Sequence, residues 1–187
     1  MYDSDMEQQK VMSVLNPYLG RMYPIFSGAL DKYNSEVSAG ARAEWNVRAV
    51  ANVVWCHAWE GFRREFIDEA GFHFLNVRGL DVLNIRDELV IRVKKVDENG
   101  RHQNADTAQQ RAFDQQLEFP ELPGAAARVV IGYQPDEAFS EVERVIVRRP
   151  LGRWVSQIVE IDSECQWIDI TPIELPFGIS RRSAVGV

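Results

Sequence analysis

The spacing of apolar residues changes at Gly71, and that change limits the fold more than any motif in the chain. Before Gly71 they recur at three- and four-residue intervals, and after it they alternate. A run of helices followed by a run of strands belongs to α+β architectures, not to alternating α/β ones. The expectation is therefore N-terminal helices with one long central helix packed on a mainly antiparallel C-terminal sheet. No linker or repeat divides the chain, so one domain is expected over 1–187, with a helical part (1–70), a sheet part (71–170) and an irregular tail (171–187).

The strongest helical signal runs from about Ala41 to Ala70, with Ser38 as a cap and Gly71 as a stop. Turned by about 100° per residue, Val47, Val50, Val54, Trp55, Ala58, Trp59, Phe62 and Phe66 share one broad arc. Upstream, Val11, Val14, Leu15, Tyr18 and Met22 form another face, which Pro17 interrupts and Pro24 is expected to break again. Downstream, strands are predicted around Phe72–Val77, Leu80–Ile85 and Leu89–Val93, then at Arg128–Tyr133, Val142–Arg149 and Trp154–Ile161. Asn99-Gly100 suits a tight turn and predicts a hairpin over about 88–105, and Thr107 can cap a short helix reaching Gln116.

Composition excludes several classes. At 187 residues and 45% hydrophobic, the chain can bury a core without disulfide or metal staples. Cys56 and Cys165 stand far apart with no Cys or His companion, so neither a disulfide framework nor a metal site is expected. No cofactor is implied either: there is no Gly-x-Ser-x-Gly elbow and no phosphate loop before a helix. The polar start and the lack of a membrane span point to a cytoplasmic protein. A net charge of -7 argues against coating nucleic acid, although it leaves room for a local basic patch.

Such a patch is suggested by strand alternation. Arg92 and Lys94 share a face of one predicted strand and Arg144 and Arg148 a face of another, with Lys95, Arg149 and Arg153 near the edge and Arg101 on a polar surface beside the sheet. If those strands pair, a basic stripe able to bind nucleic acid or an acidic partner results; a solvated outer face balanced by nearby acids is the plainer reading. The catalytic candidates sit on the long helix. His57 and Glu60 lie on one polar face, a spacing that lets a carboxylate orient an imidazole, and Glu65 falls within the apolar arc. An exposed charged face is the plainer reading of His57 and Glu60, as is, for Glu65, emergence where the helix overruns the core. His73 reads as a strand residue and His102 as exposed beside the turn.

Ile91-Arg92-Val93-Lys94-Lys95, followed by Gly100-Arg101, Asn104, Thr107, Gln109, Phe113-Asp114, Leu122-Pro123 and Gly132-Tyr133, resembles a group of small uncharacterised bacterial proteins. Members of that group look like partners of helix-turn-helix proteins with a zinc-peptidase-like domain, in toxin–antitoxin or phage-defence pairs. The resemblance spans about 85–150 and carries over no functional residue. It implies the toxin-side component of a two-gene module acting through protein–protein contact, with the helix-turn-helix protein as cognate partner. A nuclease or transferase acting on nucleic acid, or an inactive regulatory or immunity subunit, are the alternatives. The enzyme reading requires the basic strands and an acid–base residue to converge.

Overall fold

The computed structural model describes residues 2–98, 100–102, 107–115, 117, 120–150 and 156–171. The fold is α+β, with helices at the N-terminus and a seven-stranded sheet after them. Helix α1 (Tyr2–Leu15) passes through one 3₁₀ turn (Asn16–Tyr18) into α2 (Leu19–Glu36), with Pro17 at the turn's start. Pro24 does not break α2, contrary to expectation. Proline removes the bond to the carbonyl four residues back; Pro24 and Gly20 are both exposed, so solvent can take that carbonyl.

The expected single long helix is two, α3 (Ala39–Glu44) and α4 (Val47–Phe66). Ser38 caps α3 as anticipated, its Oγ accepting from the Ala41 amide. Asn46 caps α4 in the same way: its Oδ1 accepts from the Ala49 amide at 2.9 Å, and its own backbone is extended. A side-chain acceptor at that point favours a new helix start over continuation, although the apolar period runs on through it.

The strands are β1 (Phe72–Val77), β2 (Leu80–Ile85), β3 (Leu89–Lys95), β4 (Ala127–Pro135), β5 (Val142–Pro150), β6 (Ser156–Ile161) and β7 (Trp167–Asp169), in that spatial order. All neighbours run antiparallel except β3 and β4, which are parallel. The predicted hairpin over 88–105 is thus corrected. The chain does reverse there, with Asp97 donating to the Arg101 carbonyl and Gly100 to that of Asp97. Arg101 and His102, polar and just past the turn, belong to no strand, and the chain instead makes the long crossover that parallel neighbours require. Asn99, Asn104, Arg153, Trp154 and the tail from 172 lie outside the described residues.

Alternation along the strands gives the sheet two buried faces. The first, through Leu83, Ile91, Val93, Val129, Ile131, Tyr133, Val145 and Val147, packs on α1, α2 and α4. The second, through Val82, Val90, Val130, Ile146 and Ile158, packs under the crossover, which contributes Val96, Phe113, Leu122 and Ala126. Helix α5 (Ala108–Asp114), capped by Thr107 as expected, lies in that crossover.

Candidate functional site

The basic residues occupy the second face. Arg92 and Arg148 are both partnered to Val130 of β4, so the two basic strands are not neighbours, and their side chains start roughly 10 Å apart across the intervening strand. Arg128, two residues before Val130, joins the same face. The face is neither an open stripe nor a solvated surface: Arg92 is 4% exposed, Arg128 2% and Arg148 8%. Two glycines let the crossover settle there. Gly132 stands where a Cβ would strike Val96, and Gly100, at φ +67°, lies over Ile146 and Ile158.

Gln110 of α5 is the hub of a polar network between crossover and sheet. Its Oε1 accepts from Arg92 Nη1, and its Nε2 contacts Asp114 Oδ1 and His102 Nε2, each at 2.9 Å. Because Asp114 can only accept, Gln110 Nε2 is the donor, so His102 Nε2 accepts and the imidazole proton sits on Nδ1. Burial, reinforced by Arg148, Arg92 and Lys94, pushes His102 down to about 3, so the ring is neutral. Burial also lowers Arg92 to about 10, against the pull of Asp114 and Asp81. His102, expected at the surface, is thus half-buried, with its Nδ1 shielded from solvent. Arg92 Nε and His102 Nδ1 are buried donors with no hydrogen-bond partner among the described residues.

Lys94 stands at the rim of this network, beside a split in the sheet. β2 pairs with β3 only from Leu83↔Ile91 to Ile85↔Leu89, which leaves the edge of β3 open beyond Ile91. Trp55 of α4 fills the gap, its Nε1 donating to the Val93 carbonyl at 2.9 Å and its ring stacked on Trp59. Lys94 Nζ lies 5.9 Å over the Trp55 ring and has no hydrogen bond or ion pair among the described residues. Burial, and then Arg92, brings its ammonium down to about 8, with Asp81 opposing.

The other candidates fall elsewhere. Lys95 alternates to the first face and meets the Phe139 ring, and Arg101 is exposed at the turn. Arg144 pairs with Glu160 and donates to the Glu98 carbonyl. On the helical side, His57 Nε2 comes within 3.3 Å of Glu36 across the α2–α4 contact, without hydrogen-bond alignment, and Glu60 is exposed. Burial and Lys32 lower the His57 pKa, outweighing Glu36. Glu65 emerges at the helix end, where Arg21 Nε donates to it at 2.7 Å. The helices pack on the first face, so His57 and Glu60 do not converge with Arg92 or Arg148.

A cleft of about 210 Å³ opens between α1 and the starts of β3 and β4, lined in part by Glu7, Lys10, Leu89, Ala127 and Arg149. Arg149 crosses it to pair with Glu7 and also donates to Gln157. Arg149, expected at the edge of the basic stripe, lines this cleft, and none of the catalytic candidates named from the sequence does. Among the described residues no helix is long and apolar enough to cross a membrane, and no group of His, Cys, Asp and Glu is placed to hold a metal ion.

Sequence reasoning missed Gln110, Asp114 and Arg128. Alternation with Val130 was a signal for Arg128, whereas Gln110 carried only a capping-box spacing from Thr107, which its side chain does not use.

The neutral His102 makes stability depend on pH. Its folded value of about 3 lies below the ordinary histidine value of 6.5, so below pH 6.5 the unfolded chain binds the extra proton and folding weakens as pH falls. Urea unfolding from pH 7 to 4 is expected to lose up to about 1.4 kcal/mol per pH unit more in the parent than in His102→Asn. Identical pH slopes would show that the ring titrates freely.

Family models, curated proteins and solved structures were compared with the chain, and none matches.

Proposed function

We propose that this chain is the toxin-side component of a two-gene bacterial toxin–antitoxin or phage-defence module and acts through protein–protein contact. The cognate partner is a helix-turn-helix protein with a zinc-peptidase-like domain, as the resemblance over about 85–150 implies. The observation that carries the reading is the separation of the candidate groups. A nucleic-acid enzyme needs exposed cations beside an acid–base residue, yet Arg92 and Arg148 lie under the crossover while His57 and Glu60 sit with the helices beyond the sheet. Binding a protein makes no such demand. The sheet also ends in β7, where Ile168 and Asp169 are exposed and Glu164 stands nearby, an acidic edge suited to a basic partner.

Induction of the chain alone in a bacterial host is expected to arrest growth, and co-induction of the neighbouring gene to restore it. The two products are expected to co-elute in size-exclusion chromatography. Normal growth in every strain with no complex sinks the proposal. A complex without arrest transfers the role to a regulatory or immunity subunit.

A further inference from the structure

We propose that the network of Arg92, Lys94, His102 and Gln110 is a binding site for a small phosphoryl oxyanion. The inference goes beyond the partner reading and does not depend on it.

Two buried donors with no partner belong to this one network. Arg92 Nε and His102 Nδ1 are both shielded from solvent and bonded to nothing among the described residues. Buried polar groups are rarely left so, and a functional ligand is one of the recognised reasons for an exception. The donor on His102 is fixed by the contacts around it. Asp114 orients the Gln110 amide, the amide donates to Nε2, and Nε2 therefore cannot carry the ring proton. Both orphan groups are donors, so the species that fits them is an acceptor.

Charge narrows the choice. Arg92 holds a neutral Gln110 amide oxygen where a guanidinium ordinarily finds a carboxylate, and Lys94 makes its described contact through the Trp55 ring face. A water molecule could accept from one orphan donor but would add no charge to what Asp114 and Asp81 partly supply to these cations in a low-dielectric site. A tetrahedral oxyanion supplies several acceptor oxygens and the negative charge together, and guanidinium and ammonium groups are its usual partners. Lys94 is only partly buried, which gives the ligand an entry beside the split between β2 and β3. The phosphoryl group can be free phosphate or the phosphate of a mononucleotide.

Calorimetric titration of the full chain with inorganic phosphate and with AMP, at constant ionic strength in chloride, tests the site. Saturable binding is expected, weakened about tenfold by Lys94→Met through loss of one charge-assisted hydrogen bond. The Arg92 Nε–H resonance of the unmodified protein is expected to move with the same saturation curve, a readout independent of any variant's folding. Tighter AMP binding assigns the phosphate to a nucleotide, and tighter inorganic phosphate binding to the free ion. Absence of binding beyond the chloride control overturns the proposal. So does an Arg92 Nε–H signal that stays fixed while phosphate binds, or undiminished binding in a folded Lys94→Met.

Discussion

Phe26→Ala is expected to reduce the unfolding free energy by about 3–5 kcal/mol, the usual cost of emptying a fully buried aromatic site. Phe26 is 0% exposed and lies where the helical layer meets the sheet. Its ring centroid is 5.5 Å from that of Phe62 on α4 and 5.6 Å from that of Tyr133 on β4. Truncation removes contacts to a second helix and to the sheet at once, and these neighbours are themselves buried and cannot close the space by moving alone. Natural domains hold about 5–15 kcal/mol in all, so the loss is a large fraction of the total. Urea titration reads it as a lower midpoint with the slope retained. A shift worth under about 1 kcal/mol would mean that the Phe26 site collapses freely, which a packed interface of this kind does not allow.

The halves of the fold were legible because the apolar period reports which faces are buried. The same signal failed wherever a polar side chain or a distant strand decided the outcome. Asn46 interrupts the helical signal that runs from about Ala41, since the bond its side chain accepts from the Ala49 amide starts a new helix at Val47. The parallel placement of β4 beside β3 has no local signature: it depends on residues more than thirty positions apart, and the Gly100 turn read equally well as a hairpin. For the site, alternation correctly grouped Arg92 with Lys94 and Arg144 with Arg148. It could not show that β4 lies between the strands or that the crossover covers that face. His102 looked exposed for this reason, since its partial burial comes from contacts with α5 and the sheet and not from its neighbours in sequence.

Gln110→Leu is expected to cost about 3 kcal/mol, more than an ordinary substitution on a short helix, because buried groups are left without partners on the other side. Leucine has nearly the same volume and keeps the apolar contacts, so packing alone predicts little change. What disappears is the acceptor for Arg92 Nη1 and the donor to His102 Nε2. A buried guanidinium that loses its acceptor keeps its desolvation cost without the compensating bond, and the histidine loses the contact that selects its tautomer. Combining Gln110→Leu with Arg92→Met separates the two explanations. With the cation gone, Gln110 has less to satisfy, so the double variant is expected to lose about 1–3 kcal/mol less than the sum of the single losses. Strict additivity in urea unfolding would show that Gln110 stabilises α5 locally and that the bond to Arg92 is incidental. Strong coupling would place the hold of the crossover on the sheet in this one amide, with Phe113 packing beside it over the Arg92 guanidinium. A bound oxyanion acts on the same charge. Because Gln110→Leu also frees the His102 tautomer that presents Nδ1–H, the variant binds the oxyanion less tightly, so phosphate should widen the gap between Gln110→Leu and the parent.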